Sequence, residues 1–524
     1  MISLTQSHPI LSCVAAKEWE AHLLEDEAAE WAAMQQAGSA SARSFLNDFE
    51  EIGGLPDDAR LLVLVGKGHN GGDALLATKA ILEQFPLASV DILLCFGESA
   101  LRPLARRSLD ALRSASLSNR VRTIELGSDF QSTSYDVCID GLFGFQFRPP
   151  LDAATAEIIA QVNAHPHIKL RAAVDLPSGL GETNATTVFR ADFTYATGIV
   201  KSPMIVESNA AHVGRLRYLD LGFFEVGGAL AAPRRATSVQ PTHPVDEAII
   251  RVLLPSILRP LAQLRPAQSD KRTYGHLFVL GGSLSYPGAV LMTVQAALRS
   301  GVGLLTAFVP ESLVPEYAAR FPEAMWVGMP QTSSGGISSD GIPKLLEKLP
   351  RATALVIGPG LGAELETLAA VQDIVRQISV PLLLDADALR PEVLEAARGK
   401  SFVCTPHAGE LKRIAGDASL HDFCRQHRAV VVQKGPITRV GDGEAVYHSM
   451  FGGPVLARGG SGDLLAGLIG GLLAQGPDNL LLAAARGVVW HGLAADLLAR
   501  DRGQVAVQTT QLLDYLSSAL RETL

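Results

Sequence analysis

Short apolar runs, each ending near a glycine or an acid and each followed by a helical stretch, recur along the chain. This alternation limits what it can fold into. In the first half the runs are "LLVLVG" from Leu61, "VDILLCFG" from Val90, "DVCIDGLFG" from Asp136, "LRAAVDLPSG" from Leu170 and "ADFTYATG" from Ala191. Apolar runs bounded by turn residues and alternating with helical patterns predict α/β architecture with a mostly parallel sheet. Residues Trp19 to Phe49 add one or two helices before the first strand. The rhythm closes at "GRLRYLDLGFF", from Gly214, and breaks over Glu225 to Pro244. It resumes with "GHLFVLGGS", "GLLTAFVP", "ALVIGPGLG", "PLLLDADAL", "SFVCTP" and "AVVVQKG". A chain of 524 residues exceeds one ordinary core. The expectation is two α/β domains, residues 1–228 and 246–524, joined by a linker over 229–245.

The bulk properties exclude several classes. Apolar residues make up 47% and charged residues 19%, so the chain is globular rather than disordered. The net charge is −9 and no Lys/Arg block stands out, which removes the footprint expected of a nucleic-acid partner. The five cysteines form no C-x-x-C pair, and their odd number fits reduced thiols in a cytoplasmic protein better than a zinc site. No basic region followed by an apolar stretch opens the chain, so no signal peptide is expected. The late apolar run "DLLAGLIGGLLAQG" is too short and glycine-rich to span a bilayer, so no membrane partner is expected either.

Gly66, Gly68 and Gly71 fit the G-x-G-x-x-G spacing of a dinucleotide-binding turn. Such a turn seats a pyrophosphate on a helix N-terminus. Here the predicted helix begins near Asp73, whose carboxylate would repel that anion or cap the helix itself. "HNGGD" is therefore better suited to holding polar groups or a cation beside a ligand. Two further strand ends carry Asp140, and Asp175 with Ser178. Ligands bind at the carboxyl ends of parallel strands, where these three stretches can converge.

In the second half, Gly459, Gly460, Ser461 and Gly462 precede a helix predicted to start near Asp463. Free N–H groups at that start make an anion hole, and Asp463 beside it could take a proton from a substrate hydroxyl. The "GKS" of Gly399 to Ser401 is not a P-loop, because its required first glycine falls at Leu394. Ala289, the "IGPGLG" turn, Asp385, Asp387, His407, Glu410 and Lys434 all stand at predicted strand or helix ends around a cleft.

The first half resembles the NAD(P)H-hydrate epimerase domain. That family has an N-N-G-G-D turn, a D-x-x-x-G strand end, a V-D-[IL]-P-S-G strand end, an A-D-x-T…K tail and an early M-x-x-A-G. The counterparts here are "HNGGD", "DGLFG", "VDLPSG", "ADFTYATGIVKS" and "MQQAG". The resemblance implies a Rossmann-like three-layer sandwich. It implies substrate contacts by His69, Asn70, Gly71, Gly72 and Asp73, by the loop Gly144, Phe145, Gln146, Phe147, Arg148, Pro149 and Pro150, and by Asp175. It also implies a potassium ion held by Asn70, Asp140 and Ser178, Asp175 as the acid/base group, and Arg148 facing a substrate phosphate. His69 stands where the family has Asn, and Ala74 where it has Gly.

The second half resembles the ribokinase-like ADP- or ATP-dependent NAD(P)H-hydrate dehydratase domain, a three-layer α/β/α fold. The resemblance implies substrate contacts at Ala289, Gly362, His407 and Asp463. It implies adenine-nucleotide contacts at Lys434, Gly435, Pro436, Ile437, Thr438 and Gly462, with Mg2+ accompanying the nucleotide and Asp463 as base. Arg458 replaces the usual Thr and Arg390 the usual Asn, both near the predicted cleft. Together the two resemblances imply epimerisation of R- and S-NAD(P)HX and nucleotide-driven dehydration of the S form, with a homo-oligomer expected. The alternative reading is a ribokinase-superfamily small-molecule kinase with a non-catalytic N-terminal binding module.

Overall fold

The computed structural model describes residues 2–114, 117–124, 130, 132–224 and 249–523. The chain divides into two compact units, Pro9–Asp246 and Met1–His8 together with Glu247–Leu524. The linker expected over 229–245 lies outside the described residues. The first residues depart from the expected grouping of 1–228, for a local reason. Arg251 donates to Ser7 Oγ at 2.8 Å and to the Ser7 carbonyl at 2.6 Å. Leu254 N–H donates to the Gln6 carbonyl at 2.9 Å, and Ile2 is buried in the core of the C-terminal unit.

In the N-terminal unit seven parallel strands lie in the order Val121–Ile124, Ser89–Leu94, Arg60–Val65, Tyr135–Gly141, Ile168–Val174, Phe193–Thr197 and Arg215–Leu219. One face packs Val63 and Ile139 against Phe45, Leu75 and Leu109. The other packs Leu62, Leu64 and Cys138 against Ile158, Ile159 and Val162. The chain builds outward from Arg60–Val65 in one direction, then returns to build the other way from Tyr135–Gly141. The crevice at the carboxyl ends of these two neighbours is where open α/β sheets bind ligands.

The helix expected from Asp73 starts earlier. It spans His69–Gln84, with Gly68 as a cap that makes no side-chain bond. Asp73 therefore lies inside the helix and does not cap it. Glycine costs a helix about 1 kcal/mol relative to alanine, which hid this start in the sequence. Packing is the compensating gain. A Cβ on Gly71 would sit 2.4 Å from the Gly66 carbonyl oxygen, one on Gly72 2.2 Å from Met34 Cε, and one on Gly141 2.5 Å from Ala74 Cβ. The glycines let this helix lie directly on the strand ends and on Glu27–Phe49, which contributes Met34 and Gly38 of "MQQAG". They serve helix–sheet approach.

The C-terminal unit orders its strands Met325–Met329, Leu304–Pro310, His276–Leu280, Ala354–Ile357, Leu382–Leu384, Phe402–Cys404, Ala429–Gln433, Thr438–Gly441, Ala445–Ser449 and Ile249–Leu253. The run from Met325–Met329 to Ala429–Gln433 is parallel, and Thr438–Gly441 is antiparallel to both its neighbours. Leu277 and Val279 face one helical layer with Val294, Leu468 and Val489. Phe278 and Leu280 face the other, with Val371, Ile374 and Val393. The order reverses between His276–Leu280 and Ala354–Ile357, which sets the crevice of this sheet. Leu480–Arg502 is the helix among the described residues long and apolar enough to cross a membrane, and it is mostly buried in the protein, as a core helix is.

Candidate functional site

In the N-terminal unit Asp140 closes its strand fully buried. Its Oδ1 accepts the Ser178 hydroxyl at 2.6 Å and the Leu142 N–H at 3.1 Å, and its Oδ2 accepts the Ser178 N–H at 2.8 Å. Burial outweighs these bonds and pushes the carboxyl up to about 6. Both amide atoms of Asn70 are buried without a hydrogen-bond partner. Asn70 and Asp175 meet at Gly144, where a Cβ would lie 3.6 Å from Asn70 Cβ and 2.9 Å from Asp175 Oδ2.

Asp175 follows strand Ile168–Val174 in the left-handed region, φ 64°. Its Oδ1 accepts the Lys201 ammonium and the Thr197 hydroxyl, the latter at 3.3 Å, and its Oδ2 accepts the Phe145 N–H at 3.3 Å. Asp73 is buried with Oδ1 unpaired. Desolvation, then the charges of Asp175 and Glu20, push its carboxyl well above the usual range, and Lys201 opposes them. Glu20, on helix Cys13–Leu23, is pushed up to about 7, chiefly by desolvation.

Phe145 and Phe147 are buried, while Gln146, Arg148, Pro149 and Pro150 are exposed. Arg148 spends one N–H on the Phe147 carbonyl at 2.8 Å. His69 faces outward, 3.6 Å from Glu30. Gly71 and Gly72 are buried. The crevice thus gathers Asn70, Asp73, Gly144, Phe145 and Asp175, with Asp140 and Ser178 adjoining through the Phe143 N–H, which donates to Ser178 Oγ at 2.9 Å.

In the C-terminal unit the helix Ser461–Gln475 opens after Gly460, φ 88°. A Cβ on Gly459 would meet nothing within 4 Å, so the turn is open there, whereas one on Gly460 would lie 2.4 Å from Met292 Sδ. Asp463 is half-buried in the first turn. Desolvation and the neighbouring Asp385 raise its carboxyl to about 7, against the pull of Lys434. The Thr293 hydroxyl donates to the Ala289 carbonyl at 3.2 Å and the Asp463 carbonyl at 3.1 Å, tying helix Pro287–Arg299 to this start. Lys434 Nζ would lie 3.2 Å from a Cβ on Gly462, and it donates to Asp385 Oδ1 at 3.0 Å. Burial alone would lower the Lys434 ammonium, but Asp385 and Glu410 together hold it raised.

Gly435 and Pro436 form the exposed part of the turn from Lys434 to Thr438. Gly362 N–H donates to Asp387 at 2.9 Å. His407 caps helix Ala408–Ala415: its Nδ1 accepts the Gly409 N–H at 3.0 Å, and Glu410 returns a bond to the His407 N–H at 2.9 Å. The backbones of His407 and Lys434 are bridged. Lys400 of "GKS" donates to the carbonyls of Arg376 and Ile378, well suited to anchoring a turn.

Comparison with known proteins decides the family. Residues 277–518 match the profile described as NAD(P)H-hydrate dehydratase, and residues 31–202 that of the YjeF-related protein N-terminus. The bifunctional NAD(P)H-hydrate repair enzyme Nnr of Moorella thermoacetica is 32% identical over 515 residues, covering 93% of this chain and 92% of its own. The protein of that name from Gloeobacter violaceus is 36% identical over 505 residues, 92% of each chain. The chain belongs to the bifunctional NAD(P)H-hydrate repair enzymes. Among solved structures, the ADP/ATP-dependent NAD(P)H-hydrate dehydratase of Bacillus subtilis, co-crystallised with ATP/Mg2+, is 28% identical at a TM-score of 0.45, over 52% of this chain and 98% of that one.

For a repair enzyme of this kind, sequence reasoning overlooked three features. Lys201 was visible only as the end of a tail motif, and its pairing with Asp175 is a matter of tertiary packing. The anchoring of Lys434 on Asp385, itself bonded by the Thr405 hydroxyl at 2.6 Å, joins residues from three strand ends. Arg458, expected near the cleft, turns instead to the carbonyls of Val505 and Val507, each at 2.7 Å, and supports that loop.

Proposed function

We propose that the N-terminal domain interconverts R- and S-NAD(P)HX and that the C-terminal domain dehydrates the S form to NAD(P)H at the expense of ADP or ATP. The observation that carries this reading is Asp463: a half-buried carboxyl raised to about 7, at the start of a glycine-led helix whose approach is open at Gly459. A base works best when it titrates near the working pH. Asp463 takes the proton of the C6 hydroxyl as the hydroxyl oxygen attacks the terminal phosphoryl group, whose P–O bond to the nucleotide breaks and releases AMP from ADP, or ADP from ATP, with the bonding pair. The amides around Gly459 to Gly462 and the Lys434 ammonium receive the charge that builds on that group. Phosphate then leaves C6 with the bonding pair, a proton leaves C5, and the dihydronicotinamide is restored. Ala289, Gly362 and His407 contact the hydrate, and Lys434 to Thr438 with Gly462 contact the nucleotide.

Among the described residues no group of three or more His, Cys, Asp or Glu side chains could cage a metal. Mg2+ would be carried by the nucleotide phosphates, which suits an ion that keeps most of its waters. The potassium site is better provided for. Asn70 Oδ1 is buried and unpaired, and Asp140 and Ser178 are joined by a hydrogen bond; their oxygens are of the kind suited to a hard cation. The ion would screen the buried Asp140 charge and orient the adjoining loop.

In the epimerase crevice Asp175 accepts the hydroxyl proton of C6 while the C6–N1 bond opens to an aldehyde. It returns the proton after N1 closes on the opposite face. Residues His69 to Asp73 and Gly144 to Pro150 hold the dinucleotide, with Arg148 on a phosphate. All five cysteines are free and buried, which fits the reducing cytoplasm. A homo-oligomer completes the proposal.

The test offers purified protein R- or S-NADHX with ADP, ATP or neither. Absorbance like that of NADH should return from the S form only with nucleotide, and from the R form after conversion. No recovery, with phosphorylation of a vitamin-like alcohol instead, would replace the dehydratase reading with the kinase.

A further inference from the structure

Lys201 is fully buried, and so is the carboxylate it meets, with side-chain exposures of 1% and 7%. A lysine in that position is rare unless paired. Taking both charges out of water costs several kcal/mol per ion, so a buried pair is weak evidence of a purely stabilising role. The geometry around the pair is asymmetric. Asp175 Oδ1 is closed off by the Lys201 ammonium and the Thr197 hydroxyl. Oδ2 has one donor, the Phe145 N–H at 3.3 Å, and it looks toward Gly144, where any Cβ would intrude to 2.9 Å. The ammonium is itself fixed, donating to the Thr197 carbonyl at 3.4 Å and lying 4.8 Å from the centre of the Phe145 ring.

We propose that Lys201 is a positioning residue of the epimerase site, acting through Asp175: it holds Oδ1 and so presents Oδ2, across Gly144, as the oxygen that exchanges the substrate proton. This rests on the reading of Asp175 as the acid/base group. The titratable groups that face Asp175 are Asp73 from helix His69–Gln84, Glu20 and Cys13 from helix Cys13–Leu23, and Lys201 from strand Val200–Lys201. Against two carboxyls, Lys201 supplies the balancing positive charge.

The experiment follows R-to-S conversion by the full chain against pH for wild type, Lys201→Met, Lys201→Arg and Asp175→Asn, with dehydration of S-NADHX as the internal control. Lys201→Met should lower kcat for conversion at least 100-fold, leave KM within about threefold, and move the acid limb of the profile up by one pH unit or more. Lys201→Arg should restore the limb and much of the rate. A structural role alone would lower the amount of active protein without moving the limb. An unmoved limb, or wild-type conversion by Lys201→Met while Asp175→Asn is inactive, overturns the role given to Lys201. Conversion retained by Asp175→Asn overturns the reading of Asp175 instead. If Lys201→Met does not fold, Lys201→Gln, neutral and still a donor, is read by the same outcomes.

Discussion

At the first strand end of the N-terminal domain, a Cβ on Gly66 would lie 1.8 Å from the Leu142 carbonyl oxygen. In the turn before the last helical layer of the C-terminal domain, a Cβ on Gly459 would touch nothing within 4 Å. Both glycines sit in runs that look alike on paper, and they do opposite work. Gly66, with Gly71 and Gly141, lets backbone meet backbone, and the chemistry is left to side chains aimed past it. Gly459 leaves room for a ligand to reach backbone amides. The carboxylates differ in the same sense. Asp175 is held by a buried lysine, a hydroxyl and an amide, while Asp463 is half-buried and raised to about 7. The first site is a set of pinned side chains, and the second pairs a turn open at Gly459 with a carboxyl raised to about 7, which we propose as anion hole and base.

The sharpest way to separate the two is Asp463→Asn. Removing a general base costs a factor of roughly 10²–10⁴, so turnover of S-NADHX with ADP should fall about 1000-fold. R-to-S conversion by the same preparation should be unchanged. Equal loss of both activities would mean the two sites are not independent.

The paired glycine variants come next. Gly66→Ala must displace a backbone carbonyl, and overpacking of this kind costs about 3 kcal/mol. The thermal transition of the N-terminal domain should drop and epimerisation should be lost with it. Gly459→Ala should change stability by no more than about 0.5 kcal/mol yet raise KM for the nucleotide, since the methyl enters space meant for ligand. Calorimetry together with steady-state kinetics reads both. A stable, active Gly66→Ala would remove the packing account of the first turn.

The strand ends were legible because parallel strands buried on both faces leave uninterrupted apolar runs, and because an acid just past such a run has few structural excuses. Asp140 and Asp175 stand at such strand ends, whereas Asp463 was marked by the glycines ahead of its helix. The start of helix His69–Gln84 was not legible, because intrinsic propensity speaks against "HNGG" and only contacts with Gly66, Met34 and Ala74 outweigh it. Lys201 was equally hidden. Nothing local marks a lysine as buried, and its partner lies across a strand crossing. The allegiance of Ile2 and Ser7 to the C-terminal unit depends on Arg251, far away in sequence.

A milder difference between the sites should show in pH. Asp463 must be ionised to act, and burial holds its carboxyl at about 7. The working form is therefore present above that value and is lost as pH falls through it. Dehydration of the S form should drop about tenfold for each pH unit below 7. Asp385→Asn removes a neighbouring negative charge and should move this limb to lower pH, though it also frees Lys434 from its anchor and so costs rate. A profile flat from pH 8 to 5.5 would exclude Asp463 as the base.

The smallest effect is expected at His69, where this chain departs from the usual Asn of its family. The imidazole lies at the outer edge of the helix start, 45% exposed, with Glu30 at 3.6 Å, and an exposed pair of this sort contributes about 0–1 kcal/mol. The inward work at that turn falls to Asn70, whose amide atoms are buried and unpaired, and to Asp73, whose Oδ1 is. His69→Asn should therefore leave kcat/KM for R-to-S conversion within about threefold, and the melting profile within about 0.5 kcal/mol. A gain above tenfold would show that the imidazole holds the epimerase back, and would move the edge of the substrate site outward to Glu30. A loss above tenfold would mean that His69 contacts the dinucleotide through a bond asparagine cannot reproduce. Either result would show that the exposed rim at His69, and not only the pinned interior, governs epimerisation, which narrows the difference between the two sites.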